Sequence, residues 1–351
     1  MNDLMALLSC LTALSLICWQ ACEAQDASVM TKAKTIAETM MEKAPKPSSP
    51  AFLATAEEMD RAMHADSAAK QSEPLQFPKG NGLRILMTGH SFVAPAVRTL
   101  PMIAAAAGFD GHHQRSHNSG GSTGSATSIW LTEFGKFKGK PATPILLPAL
   151  ATGQWDVMTW GAYYHDTAES YAPWIDACLA KNPAMRFLIQ DGWPMYPREA
   201  DDADHVLIQA VIDAELDLGR AHLFQPLYDG LNLRYPGKVH LLPVAPAVVE
   251  MIRHYFAGEL PGFDCLSEHL GGRCGIYRDG GHLSRSGGMD QIVGYVYYGV
   301  LYRQSPERVP AYKPEGVDPT VDRLMRKAAW KAVIHDPLSS ITDKGGSGIA
   351  D

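Results

Sequence analysis

From Leu83 onward the chain alternates short apolar runs with longer helical stretches, and this alternation constrains the fold more than any other feature. The runs are "LRILMT", "WDVMTW", "MRFLIQ" and "KVHLLPV". Between and after them stand "LPMIAAAAG", "YAPWIDACLAKN", "ADHVLIQAVIDAELDLGRAHLF" and "PAVVEMIRHYFAG", with "QIVGYVYYGVLYRQ" last. Apolar runs of strand length, separated by helices of ten residues or more, predict parallel βαβ units covered on both faces. The expectation is one α/β domain over residues 81–306, a three-layer α/β/α sandwich with a mainly parallel, flavodoxin-like sheet.

The flanks read differently. Leu4 to Ile17 is almost continuously apolar and short for a bilayer span, and "CEA" precedes Gln25. That pattern predicts a signal peptide over 1–24 and export to the periplasm or beyond. Residues 25–80 read as an N-terminal arm or linker: "TKAKTIAETMMEK" has helical spacing, "APKPSSPA" has linker composition, and "AEEMDRAMHADSAAKQ" is amphipathic. Residues 307–351 read as an extension with one helix, "PTVDRLMRKAAWKAVI", and a flexible "DKGGSGIAD" end. A net charge of -7, with no Lys/Arg-rich block, argues against nucleic acid as a partner. Of the cysteines beyond the leader, Cys265 and Cys274 bracket "CLSEHLGGRC" and can close a short loop in an oxidising compartment. Cys178, on an apolar helical stripe, reads as a buried inert thiol.

In an open parallel sheet ligands bind beyond the carboxyl ends of the strands, so reactive side chains belong in the strand-to-helix turns. The first turn, "TGHSFV", puts Ser91 just ahead of a helix, where it is either an N-cap or a nucleophile beside a positive helix end. The second, "SHNSGGSTGSA", is a glycine loop suited to holding an anion. The third, "GAYYHD", brings Tyr163, Tyr164, His165 and Asp166 to the same edge, and the fourth, "DGWP", adds Asp191 and Trp193. The last, "YRDGGHLSRSGG", separates Asp279 and His282 by two residues. A carboxylate at that spacing can accept the imidazole Nδ1–H and steady the ring as it takes a proton.

Taken together, "ILMTGHSF", "NSGGSTGSA" and "YRDGGHLSRSG" resemble the first, second and last blocks of the SGNH hydrolases, the GDSL-type esterases. The resemblance runs from about Leu83 to Tyr302 and is nearest to divergent members whose first block reads Gly-x-Ser-Phe. It implies Ser91 as nucleophile, with Asp279 and His282 completing a triad. It implies an oxyanion hole from the amides of Ser91 and of Gly120 or Gly121, with no cofactor and no metal. The third block departs from the family: "WGAYYHD" has Tyr163 where an oxyanion-binding asparagine usually stands, so Tyr163, His165 or Asn118 would have to replace it. His90, Tyr164, His165 and Trp193 are the candidate substrate contacts.

The expected function is a serine esterase acting on a small acyl ester, acetyl for example, carried on a carbohydrate. The substrate is the only partner this implies, with no membrane contact beyond the leader. An alternative is an inactive carbohydrate-binding or cell-envelope module on the same fold. A second enzyme reading, metal-dependent hydrolysis, would use His112, His113 and His117 in "GHHQRSHN", a segment that reads as a loop, with His90, His165, Asp166 and Asp191 on the same edge.

Overall fold

The computed structural model describes residues 27–43, 80–118, 145–200 and 204–351, with positions 61, 63, 126, 129, 133, 136, 137, 140 and 141 between them. The leader and the Gly120–Gly121 loop lie outside the described residues. Five parallel strands form the central sheet: β1 (Arg84–Gly89), β2 (His113–Asn118), β5 (Val157–Gly161), β6 (Arg186–Gln190) and β7 (Val239–Leu242). The short pairs β3 (Lys136–Phe137) with β4 (Lys140–Pro141) and β8 (Cys265–Ser267) with β9 (Gly275–Tyr277) stand apart from it. The order β2-β1-β5-β6-β7 is the flavodoxin-like one, with its reversal between β1 and β5.

The two-residue period of the strands sends alternate side chains into two cores. Ile85, Met87, Val157, Leu188 and Leu242 enter one, and Leu86, Met158, Trp160, Phe187 and Ile189 enter the other. The first core is covered by α2 (Ala94–Ala106), α5 (His205–Gly219), α7 (Val244–Phe256), α8 (Gln291–Tyr302) and α9 (Pro319–His335). The second lies under α3 (Leu146–Ala151), α4 (Ala168–Lys181) and α6 (Gln225–Arg234). The α/β/α sandwich expected from the pattern is the observed architecture.

Both flanks are built into this body. The helix over 27–42, α1, buries Ala33 and Ala37 in the first core. Arg326 of α9 is buried against Asp322 and donates to the carbonyls of Pro306, Val309 and Tyr312, so the extension is fastened to the domain. The glycine-rich end is not loose: Asp343 accepts from the Trp330 indole and the Gly348 amide, and Ser305 N–H donates to Gly348 O. The segment read as a loop, "HQRSHN", is the edge strand β2. Its side chains are half-buried and polar, so it carries no apolar run to reveal it. The long helical stretch after Asp204 is also interrupted. It passes through a π-helical turn at Arg220–Phe224 between α5 and α6, which lets the two helices cover opposite faces.

The switch point is set by two glycines. Gly89 closes β1 at φ +144°, where a Cβ would stand 2.7 Å from the Gly161 nitrogen and 2.8 Å from Val93 Cγ2. Both the left-handed backbone and the close approach demand glycine there. Gly89→Ala should cost about 2–4 kcal/mol from strain and overpacking, measured by urea unfolding; a parent-like midpoint would contradict the contact.

Candidate active site

Ser91 does not cap the helix it precedes. α2 starts with Val93 at the N-cap position and has no side-chain cap. The Ser91 hydroxyl instead meets His282 Nε2 at 2.8 Å. The turn that holds it is braced from behind, because Gln190 at the end of β6 donates to the Phe92 carbonyl at 3.3 Å and accepts from the Tyr297 hydroxyl of α8 at 2.9 Å. Among the described residues no partner takes up the Ser91 amide, which sits beside the positive end of α2.

The loop from Tyr277 to Leu283 presents the other two side chains. A bridge pairs these two residues, Arg278 N–H donates to His282 O at 2.8 Å, and Gly280 turns the chain at φ +85°. Asp279 Oδ1 accepts the amides of His282 at 2.9 Å and Gly281 at 3.2 Å, and the carboxylate meets His282 Nδ1 at 2.9 and 3.0 Å. Burial alone would raise the Asp279 pKa. The His282 amide, the Arg278 guanidinium, the His282 ring and the Gly281 amide outweigh that and hold it well below the usual carboxylate range. An ionised carboxylate only accepts, so Nδ1 carries the proton and the Nε2 lone pair faces the Ser91 hydroxyl. Three side chains from opposite ends of the domain thus form one continuous relay, able to draw a proton off Ser91 and return it.

The relay lines a cleft of about 280 Å³. Phe92 stacks on Trp193 at 3.9 Å, and the Trp193 indole donates to the Gly281 carbonyl at 2.8 Å, which clamps the His282 loop against the Ser91 turn. Trp193 is therefore a buried wall rather than an open stacking face, at 2% exposure. His90 is buried and donates from Nε2 to the Ala162 carbonyl at 3.0 Å. Burial pushes its imidazole down to about 4, the Ala162 contact opposes this, and the neighbouring His282 adds to it, so His90 stays neutral. It lines the cleft while joining the exits of β1 and β5.

Tyr163 and Tyr164 both line the cleft, with the Tyr163 ring edge-on to His90. The Tyr163 amide is spent, donating to Asp166 Oδ2 at 3.0 Å, where the Tyr171 hydroxyl and Ala126 amide also converge. Tyr163 can thus bring only its hydroxyl to an oxyanion. His165 is exposed and outside the cleft, and Asn118 is exposed at the end of β2. The histidines of β2 and its approach turn to separate partners: His112 to the Tyr302 hydroxyl, His113 onto the Trp155 ring, and His117 to Glu133. Among the described residues no cluster of His, Cys, Asp or Glu converges for a metal. Cys265 and Cys274 are free thiols, as is the buried Cys178.

Several lining residues escaped the sequence reading. Met41 reaches the cleft from α1, and Arg220, Leu223 and Phe224 come from the π-helical turn. Glu215 of α5 also lines it, buried at 8% exposure. Its signal was present, since Ile208, Val211, Ile212 and Glu215 follow one helical stripe and a carboxyl ends an otherwise apolar face. The chain matches no protein-family model and no curated protein.

Burial raises Glu215 from 4.5 to about 8, with the Met195 amide opposing and Glu199 adding to the rise. The unfolded chain releases this proton at the ordinary value, whereas the native form holds it until about pH 8. The stabilisation is therefore complete at acid pH and is lost as pH rises through that window. The stability of the parent relative to Glu215→Gln should fall between about pH 4.5 and 8, read from urea unfolding at several pH values. A difference independent of pH would contradict the protonated state.

Proposed function

We propose that this chain is a serine ester hydrolase of the SGNH type, acting on a small acyl ester. The carrying observation is the relay from Ser91 through His282 to an ionised Asp279, set at the switch point of the sheet. His282 Nε2 takes the Ser91 proton as Oγ attacks the acyl carbon. The carbonyl oxygen becomes an oxyanion beside the Ser91 amide and the start of α2. When the tetrahedral intermediate collapses, the C–O bond to the alcohol breaks and His282 gives it the proton, leaving an acyl-serine. Water then repeats the sequence, with His282 again first base and then acid, releasing the acid and restoring Ser91.

Asp279 fixes the ring so that Nε2 is the basic nitrogen in each half. Tyr163 lines the cleft, and in this reading its hydroxyl serves where the family uses asparagine. A cleft near the small end of the range for ligand sites fits a short acyl group and a compact alcohol. A leader over residues 1–24 would put the reaction outside the cytoplasm. An inactive carbohydrate-binding module needs no aligned hydroxyl, imidazole and carboxylate, so the relay supports turnover over that reading.

Ser91→Ala should lower turnover of p-nitrophenyl acetate by at least about 10³-fold with its melting temperature unchanged. Asp279→Asn, which disturbs the tautomer, should lose about 10³–10⁴-fold. Undiminished hydrolysis in Ser91→Ala would sink the assignment.

A further inference from the structure

Two carboxyls among the described lining residues, Asp191 and Glu215, have no part in the ester chemistry, and Glu215 is the one reached from α5. Glu215 projects from the last turn of α5 into the same cavity as Ser91 and His282. One of its oxygens accepts the Met195 amide at 3.1 Å, and among the described residues no partner takes the other. Other polar groups of this wall also have partners on the protein. Asp191 Oδ1 accepts the amides of Val244 and Ala245 at 2.7 and 2.9 Å, the Trp193 indole holds Gly281, and Arg220 turns away to pair with Asp336. The cleft that Glu215 lines is walled largely by apolar and aromatic residues, Phe224, Leu216 and Tyr164 among them.

Resting on the ester-hydrolase reading, we infer that Glu215 is its specificity-determining residue, anchoring an uncharged hydroxyl on the part of the ester held away from Ser91. A lone hydrogen-bonding group in an apolar cleft rewards a substrate that pairs with it and penalises one that leaves it unpaired. A hydroxyl suits it because it both donates and accepts. The charged neighbours oppose ionisation of Glu215: Glu199 adds negative potential, and the phenols of Tyr164 and Tyr277 feel Glu215 in return. With Arg220, the one Lys or Arg among the described residues that line the cleft, bound to Asp336, the carboxyl remains protonated at neutral pH, which favours an uncharged partner over an ammonium group.

Glyceryl 1-acetate and propyl acetate share a carbon skeleton and differ by two hydroxyls, so the ratio of their kcat/KM values isolates this contact. Glu215→Leu should lower that ratio about ten-fold, mainly through KM, and Glu215→Gln should keep it within about three-fold of the parent. Independently of any variant, glycerol should inhibit the parent competitively at lower concentration than 1-propanol. A ratio unmoved in Glu215→Leu, or the reverse order of inhibitors, would overturn the inference. A preference for acetylcholine that disappears in Glu215→Gln would overturn it in favour of a cation site. A parent inert toward all these esters and p-nitrophenyl acetate removes the hydrolase reading itself, whereas failure of the ratio alone removes only the role of Glu215.

Discussion

Gly89 and Gly161 meet where β1 and β5 leave the sheet, and the position of Ser91 depends on how closely those two backbones approach. A Cβ on Gly161 would lie 2.6 Å from Val93 Cγ2 and 3.4 Å from His90 Nε2, so neither exit tolerates a side chain facing the other. Their contact lets His90 span to the Ala162 carbonyl and lets the Ser91 turn sit directly above the sheet. Gln190 then ties that turn to β6 and, through Tyr297, to the final helix. The Ser91 turn is thereby fixed to three strands and one helix independently of His282.

The partner arrives from the far end of the chain on a loop with its own bracing. Asp279 organises that loop as well as the imidazole, because one carboxylate accepts two backbone amides, a guanidinium and the His282 ring. The stacked Phe92 and Trp193 rings close the seam between the two pieces. Beyond it two buried carboxyls line the cavity: Asp191, whose Oδ1 accepts two amides at the start of α7, and Glu215, one of whose oxygens accepts the Met195 amide.

The sheet strands buried on both faces were legible from the chain because continuous apolar runs have few other uses. The polar edge strand β2 was not, since His113, Gln114, Arg115 and Ser116 pair through their backbones and leave no hydrophobic signature. Ser91, Asp279 and His282 could be named in advance because the blocks "ILMTGHSF" and "YRDGGHLSRSG" resemble those of the SGNH hydrolases and the Asp279–His282 spacing suits a hydrogen-bonded pair, and the fold brings the three side chains together. The roles of Tyr163, His165 and Trp193 depended on side-chain direction, which no spacing encodes. One ring faces the cleft edge, one is exposed, and one is buried in the wall. Met41 joins the site through a helix that reads as a detached arm, because packing of α1 on the domain is a tertiary event.

The central claim is that Ser91 is the one hydroxyl made nucleophilic by this architecture. A fluorophosphonate, which phosphonylates an activated serine with loss of fluoride, tests it most directly when the intact mass and the modified peptide are both read. The account predicts a single adduct, on the peptide containing Ser91, formed rapidly by the parent and no longer formed by His282→Ala. An unmodified parent, or an adduct on any other residue, would contradict it.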